Sequence, residues 1–233
     1  MENVATLLAR HFNQWGLSHV FGLPGKPVVP LIMALEQQGV HFVLNRHESG
    51  AGFTASGYSL LKEGLGVAIA TSGPGGTNLL TAAAQAKAYH APTLFLTGQP
   101  SGRELGKPIG QDSSLFGTDL VKMFEPVTLF SARVDRTDQL EMMLRHALDR
   151  AKTGRKGPVH LSIPMDVLRD ECASFTIPLP SSRSLVVSSE LENVFERLQE
   201  AKSPLLFLGK GVHLSKAYEH VQWLAEHWQI PVV

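Results

Sequence analysis

The feature that most constrains the fold is a short apolar segment, residues 40–44, followed at once by the small-residue segment 45–58. Residues 40–44 are mostly β-branched or aromatic and are flanked by Gly39 and Asn45, which predicts a buried strand that opens into a helix. Glu48 then falls at a strand-to-helix junction, and in a parallel α/β sheet such junctions line the crevice where ligands bind. We expect close packing against this helix, because each of its glycines costs roughly 1 kcal/mol relative to alanine.

Two further turns follow directly after predicted strands, at residues 21–25 (Phe-Gly-Leu-Pro-Gly) and 71–78 (Thr-Ser-Gly-Pro-Gly-Gly-Thr-Asn). Three ligand-compatible turns would therefore line one edge of one sheet. Simpler interpretations stay open at this point. Glu48 could be an acid favoured by the helix dipole, Asn78 could be a helix cap, and glycine and proline punctuate turns in all proteins.

The ordered motifs resemble the pyrimidine-binding domain of thiamine diphosphate enzymes. They are Phe-Gly-x-Pro-Gly, Arg-His-Glu-x-Gly-Ala-Gly, Thr-Ser-Gly-Pro-Gly-x-Thr-Asn, Thr-Gly-Gln at 97–99 and Gly-Pro-Val at 157–159. The nearest group is that of acetolactate synthase, pyruvate oxidase and benzoylformate decarboxylase. The resemblance covers roughly residues 2–169. The motifs identify the superfamily, and they distinguish its individual members less well.

The resemblance implies a thiamine diphosphate cofactor whose aminopyrimidine is activated by Glu48 as the catalytic carboxyl group. A carboxyl at the pyrimidine ring nitrogen promotes the imino form that removes the proton from thiazolium C2, and the resulting carbanion attacks a 2-keto acid. An apolar pocket that keeps this acid from simple ionisation is expected. The cofactor-binding residues implied by the motifs are Gly22, Pro24, Gly25, Glu48, Ser72, Gly73, Pro74 and Asn78.

The long loop that begins after residue 97 departs from the acetolactate synthase pattern. That pattern has Phe-Gln-Glu with the aromatic ring and the glutamine facing the substrate, whereas this chain has Gly110-Gln111-Asp112. Gln111 is therefore the predicted substrate residue. The loss of the phenylalanine indicates a different substrate pocket.

Alternating strand and helix patterns predict a doubly wound, mostly parallel α/β sheet with helices on both faces, followed by a truncated second α/β unit. We expect a pyrimidine-binding domain at 1–172, a linker rich in proline and serine at 173–188, and the start of a central α/β domain at 189–233. The sequence stops as a predicted strand begins. By resemblance, the domain that binds the diphosphate and Mg²⁺ is missing, so this stretch alone is expected to be inactive.

The amino-acid composition argues against some classes of binding partner. The 233 residues contain 21 Lys+Arg and 21 Asp+Glu, so no net charge favours nucleic acid or an anionic membrane. The single cysteine, Cys172, excludes an internal disulfide, no Cys/His cluster has zinc-site spacing, and no apolar run reaches about 18 residues. We expect a soluble, cytoplasmic protein that forms a homo-oligomer, a dimer or a tetramer.

Two functions from different classes remain. The first is a thiamine diphosphate enzyme, a transferase or lyase, that joins or decarboxylates 2-keto acids. The alternative is a non-catalytic α/β scaffold or subunit domain derived from that family. A continuation of the reading frame with a Gly-Asp-Gly metal motif would favour the enzyme.

Overall fold

The computed structural model describes residues 1–181 and 188–233, without the side chain of Ser188, and forms two compact units that divide between Ser182 and Arg183. The strands of the first unit are β1 (Glu2–Asn3), β2 (His19–Gly22), β3 (His41–Leu44), β4 (Gly66–Ala70), β5 (Thr93–Gln99), β6 (Ser131–Arg133), β7 (Pro158–Pro164) and β8 (Glu171–Cys172). Its helices are α1 (Val4–Gln14), α2 (Val29–Gln37), α3 (Glu48–Lys62), α4 (Pro74–Thr77), α5 (Leu80–Ala88), α6 (Leu120–Phe124), α7 (Leu140–Lys152) and α8 (Met165–Arg169). Single 3₁₀ turns lie at Gly102–Glu104, Glu125–Val127 and Thr137–Gln139.

Six of these strands form one parallel sheet in the order β3-β2-β4-β5-β7-β6, which confirms the predicted fold class. The chain leaves β2 toward β3 on one side and then crosses to β4 on the other side. This reversal opens a crevice at the carboxyl ends of β2 and β4, where doubly wound sheets bind ligands.

The sheet separates two apolar cores, because successive side chains of a strand point to opposite faces. On one face, Val67 and Ile69 of β4 pack with α1, α2 and α7. On the other face, Ala68 and Ala70 of the same strand pack with α3, α5 and α6. The small alanines let α3 and α5 lie close to the sheet, which brings the start of α3 to the crevice.

A buried polar chain ties the centre of β7 to its neighbours. His160 is fully buried; its Nε2 lies 2.8 Å from Thr97 Oγ1 and its Nδ1 lies 2.8 Å from Ser131 Oγ. The Ser131 hydroxyl donates to Val121 O, so it must accept from Nδ1–H, and Nε2 must accept from Thr97. Burial lowers the pKa of His160 to about 3, so the ring stays neutral.

Several predicted elements differ from the structure. The apolar segment 126–131 predicts a strand, but Pro126 lies in a 3₁₀ turn and the strand is confined to β6, since proline has no N–H for a sheet ladder. The alanine-rich segment 78–89 predicts a helix, which is found as α5 but begins only at Leu80, and the short helix α4 lies in the turn before it. The antiparallel pair β1 and β8 was not expected.

The second unit contains α9 (Ser188–Glu200), α10 (Lys210–Ser215) and α11 (Tyr218–Trp228). The apolar segments 204–208 and 230–233 predict two strands there, which among the described residues form a parallel bridge between Leu206 and Val232. The sequence pattern predicts a helix at 215–228, but the helix α11 begins at Tyr218, and a separate helix, α10, follows Gly209. The predicted linker 173–188 lies partly outside the described residues, and the domain boundaries stay a prediction. No helix in the described ranges is long and apolar enough to span a membrane.

Candidate cofactor site

The site is assembled at the carboxyl ends of β2, β3 and β4. Glu48 is the first residue of α3, directly after β3, and its side chain is 9% exposed. Asn78 Nδ2 donates to Glu48 Oε2 at 2.9 Å, while Oε1 has no hydrogen-bond partner among the described residues. Ser49 Oγ in turn donates to Asn78 O. One carboxylate oxygen is thus held in place and the other is left available.

Asn78 does not cap a helix with its side chain. The helix α5 begins after Leu79, which makes no side-chain cap bond, and the Asn78 amide is directed to Glu48 instead. This bond depends on the break between α4 and α5, which the alanine-rich sequence does not reveal. The structure therefore excludes the capping alternative for the Asn78 side chain and puts it in contact with the candidate catalytic residue.

Thr71 was not singled out by the sequence, although it opens the Thr-Ser-Gly-Pro turn. Its side chain fills the space where Gly25 and Gly75 lack one, since a Cβ built at either glycine would lie 2.3 Å or 2.6 Å from Thr71 side-chain atoms. A Cβ at Gly75 would also lie 3.3 Å from Glu48 Oε1. The buried Thr71 Oγ1 has no hydrogen-bond partner within the described chain. An unpaired hydroxyl beside an available carboxylate oxygen is suited to a polar ring placed against glycine backbone.

The turn after β4 is fixed by the long loop. Gly73 has φ of 61°, a conformation that favours glycine, and its N–H donates to Ser113 Oγ. Gln111 packs its Cα and Cβ against Gly73, at 3.4 Å and 3.3 Å from the position of a Cβ on that glycine. Gln99 is buried, and with its amide oriented to satisfy both polar atoms its oxygen accepts from Ser114 N at 2.9 Å.

The remaining predicted residues occupy the same edge with different surroundings. Pro24 is exposed, Pro74 begins α4, and Ser72 is buried. At Gly22, a Cβ would lie 2.3 Å from Ile69 O, so this glycine allows β2 and β4 to approach each other. The structure therefore brings all the predicted residues to one sheet edge but puts only Asn78 in hydrogen-bond contact with Glu48.

A cleft of about 310 Å³ continues from this edge. It is lined by Lys26, Pro27, Ser72, Pro100, Glu104, Ile109, Gly110, Gln111 and Met165. The predicted substrate residue Gln111 thus lines a cavity, while Lys26 and Glu104 were not identified from the sequence. Among the described residues, no group of three or more His, Cys, Asp or Glu side chains could hold a metal ion.

Comparison with known proteins identifies two matching families. "Thiamine pyrophosphate enzyme, N-terminal TPP binding domain" matches residues 2–123, and "Thiamine pyrophosphate enzyme, central domain" matches residues 191–233. The acetolactate synthase large subunit of Corynebacterium glutamicum is 36% identical over 98% of this chain and 37% of its own length. That of Lactococcus lactis is 30% identical over 97% of this chain and 40% of its own length.

One relative that is not named as an acetolactate synthase has a sequence identity to this chain in the same range. A probable 2-ketoarginine decarboxylase of Pseudomonas aeruginosa is 36% identical over 88% of this chain and 37% of its own length. The chain spans 37% to 40% of the length of these three relatives.

Proposed function

The chain belongs to the thiamine pyrophosphate enzyme family, and from that premise we propose that the complete protein decarboxylates or joins 2-keto acids, with Glu48 activating the cofactor. The names of the relatives, acetolactate synthases and a 2-ketoarginine decarboxylase, support this class of substrate. The observation that carries the proposal is the buried Glu48 carboxylate, held at Oε2 by Asn78 and left without a partner in the described chain at Oε1.

The residues around Glu48 fit an aminopyrimidine. Glu48 would hold a ring nitrogen and share a proton with it through Oε1. Asn78 would fix the carboxylate orientation through Oε2, because its amide already donates there at 2.9 Å. Gly25 and Gly75 would let the backbone approach the ring, and the unpaired Thr71 hydroxyl would gain a hydrogen-bond partner.

When bound, thiamine diphosphate supplies a thiazolium carbon that accepts the electrons released as a 2-keto acid loses carbon dioxide. This chain contributes the proton transfer at Glu48 and holds its carboxylate in place through Asn78. In the complete protein we assign the diphosphate and Mg²⁺ contacts to parts of the sequence beyond these residues, as the family resemblance implies.

We further propose a cytoplasmic homo-oligomer. The single cysteine is buried and suits a reducing compartment. Exposed apolar side chains on α3, Phe53 and Leu61, support association.

The test is Glu48→Gln, made in the full-length protein. Glutamine keeps size and hydrogen-bonding capacity but cannot supply a carboxylic proton. We expect the fold to persist and turnover to fall about 10²- to 10⁴-fold, the usual contribution of a general acid–base group. The rate of hydrogen–deuterium exchange at C2 of the bound cofactor should fall with it. The measurement is this exchange rate, followed together with thermal melting.

The control is Glu36→Gln, on the exposed surface of α2, which should change neither quantity. If Glu48 only favours the helix dipole, the Gln variant should lose a few tenths of a kcal/mol of stability and exchange at the wild-type rate. Wild-type exchange in Glu48→Gln would therefore refute the catalytic assignment.

A further inference from the structure

The three residues of the Thr-Gly-Gln motif at the end of β5 make different contacts. Thr97 donates to His160 Nε2 at 2.8 Å, which ties β5 to β7. A Cβ built at Gly98 would lie 2.6 Å from Pro27 Cβ, so this glycine lets one wall of the cleft pack directly on β5. Gln99 lies on the same face of the sheet as Thr97, because side chains two residues apart in a strand share a face.

The Gln99 side chain is directed to the long loop that follows its strand. It is 1% exposed, so its amide is closed off from solvent. With this amide oriented to satisfy both polar atoms, the nitrogen donates to Ser113 O at 3.3 Å and the oxygen accepts from Ser114 N at 2.9 Å. Two hydrogen bonds therefore join a buried side chain of a central strand to the backbone of the loop.

The part of the loop that receives these bonds is closed on itself. Thr118 N donates to Asp112 O at 2.9 Å, and Asp112 Oδ1 shares the Ser114 N–H at 2.8 Å. A Cβ at Gly117 would lie 2.7 Å from Asp112 Cβ, so the two ends of the loop touch. The loop is thus a compact unit, and its place on the sheet edge is set by its contacts with the strands.

Gln111 directly precedes this unit and lines the cleft. Its Cα and Cβ pack on Gly73, and Ser113 Oγ accepts from Gly73 N. One anchor of the loop is therefore the turn after β4. The other is the Gln99 amide at the end of β5, and the two together fix where Gln111 stands in the cleft.

From this arrangement we propose that Gln99 is a positioning residue for the substrate. It holds Gln111 in place against the substrate through the loop and does not itself touch the substrate. A displacement of about 1 Å far from the reacting atoms can lower a rate about 100-fold, so a small shift of the loop is enough to matter. This inference rests on the proposed function, and it adds to that function a residue that controls how the substrate is held.

The test is a double-mutant cycle in the full-length protein supplied with thiamine diphosphate and Mg²⁺. The substrate is the 2-keto acid, from pyruvate to 2-oxohexanoate, with the highest wild-type kcat/KM. Gln99→Met keeps the length of the side chain and removes both hydrogen bonds, and Gln111→Met removes the polar group from the cleft. We expect each variant to lower kcat/KM by about 10- to 100-fold.

The double variant should lose no more than Gln111→Met alone, because Gln99 acts through Gln111. Losses that multiply in the double variant would show that the two residues act independently. That result, or a wild-type kcat/KM in Gln99→Met, would overturn the proposal. If Gln99→Met does not fold, Gln99→Asn carries the same test, since it keeps an amide that is one methylene too short to reach both loop atoms.

A second measurement separates positioning from general damage to the site. Exchange at C2 of the bound cofactor depends on Glu48, which is held by Asn78 and not by the loop. The exchange rate in Gln99→Met should therefore equal that of the wild type, and a fall in parallel with kcat/KM would contradict the assignment. Thr128→Val is the matched control, because the buried Thr128 hydroxyl donates to Phe124 O at 2.7 Å. It should lower the melting temperature and leave kcat/KM unchanged.

Binding separates this inference from the proposed function. In the Glu48→Gln background, where turnover is suppressed, calorimetry should show weaker binding of pyruvate with Gln99→Met, and no further weakening when Gln111→Met is added. If this coupling is found but no 2-keto acid is turned over by the wild type, the proposed reaction fails while the positioning role stands. If 2-keto acids are turned over and Gln99→Met binds pyruvate like the wild type, the positioning role fails alone.

Discussion

At the scale of single residues, the site combines one satisfied polar group with two that lack partners. Asn78 satisfies Glu48 Oε2, whereas Glu48 Oε1 and Thr71 Oγ1 have no partner among the described residues. A buried polar group without a hydrogen bond, such as the Thr71 hydroxyl, costs about 1–3 kcal/mol. The arrangement is therefore less stable without a ligand than an apolar site of the same shape, and a ligand that supplies the missing bonds recovers this energy.

Thr71→Val tests this interpretation, because valine has nearly the same shape and lacks the hydroxyl. We expect the cofactor-free protein to gain about 1 kcal/mol of unfolding free energy, since no hydrogen bond is lost. In the full-length protein, the rise in melting temperature caused by added thiamine diphosphate should become smaller. Chemical denaturation and thermal melting measure the two effects.

Thr97→Val is the matched control. The Thr97 hydroxyl is also buried but donates to His160 Nε2 at 2.8 Å, so its removal should destabilise the protein by about 1–3 kcal/mol. Equal losses of stability in both variants would mean that Thr71 has a partner in solution and would contradict the argument.

At the scale of the elements, the glycines of α3 divide into two kinds. A Cβ at Gly52 would lie 2.5 Å from Ala82 Cβ, so this glycine permits close packing against α5, as expected from the sequence. A Cβ at Gly50 or Gly57 would meet nothing within 4 Å. These two glycines are not required by packing within the chain, which the composition of the helix alone could not distinguish.

We therefore expect the same substitution, glycine to alanine, to have opposite effects on stability at Gly52 and at Gly57. Gly52→Ala should destabilise the protein by about 1–3 kcal/mol, because it overpacks a closed interface. Gly57→Ala should stabilise it by up to about 1 kcal/mol through helix propensity. Urea denaturation of both variants checks this. A loss of stability in both would contradict the assignment of Gly57 to the outer side of α3.

His160, in strand β7, makes the unfolding free energy of the protein depend on pH. Its pKa is lowered by burial to about 3, below its ordinary value of 6.5, so the unfolded chain takes up a proton in this interval and the folded chain does not. The unfolding free energy should therefore fall as the pH falls below 6.5, by about 1.4 kcal/mol per pH unit. His11, whose pKa is also lowered by burial, adds a separate contribution of the same sign.

His160→Asn should reduce the slope of the unfolding free energy against pH by the equivalent of about one bound proton. The slope that remains should come from His11. The measurement is urea denaturation at several values from about pH 7 to about pH 5. An unchanged slope in the His160 variant would show that the ring is protonated in the folded protein.

These elements also show what could be predicted from the sequence. The strands β2 to β5 and β7 were expected, because their apolar runs end in glycine or proline turns, and parallel strands bring those turns to one edge. The pairing of β1 with β8 was missed, since two-residue strands have no period to detect. The Asn78–Glu48 bond and the unpaired Thr71 hydroxyl depend on how α4 and the long loop close over the edge, which no local pattern encodes.

At the scale of the whole molecule, α3 has an outer face that the described residues of the first unit leave uncovered. Gly50, Phe53, Thr54, Gly57 and Leu61 recur at helical spacing, with Phe53 and Leu61 41% and 86% exposed. Small residues beside exposed apolar ones allow a second helix to approach closely, and burying such side chains is favourable. We therefore expect a second copy of the chain to pack on this face.

Gly57→Glu tests the expected homo-oligomer. Apart from the surrounding turns of α3, a Cβ at this position would meet no described atom within 4 Å, so the monomer should fold as before. At an interface between copies the same carboxylate would be buried without a partner, which is strongly unfavourable. Sedimentation velocity over a range of concentrations should show the wild-type chain associating and the variant remaining monomeric.

Met33→Glu, on the exposed side of α2, should associate like the wild type because α2 covers the opposite face of the sheet. Association that persists in Gly57→Glu would place the contact elsewhere.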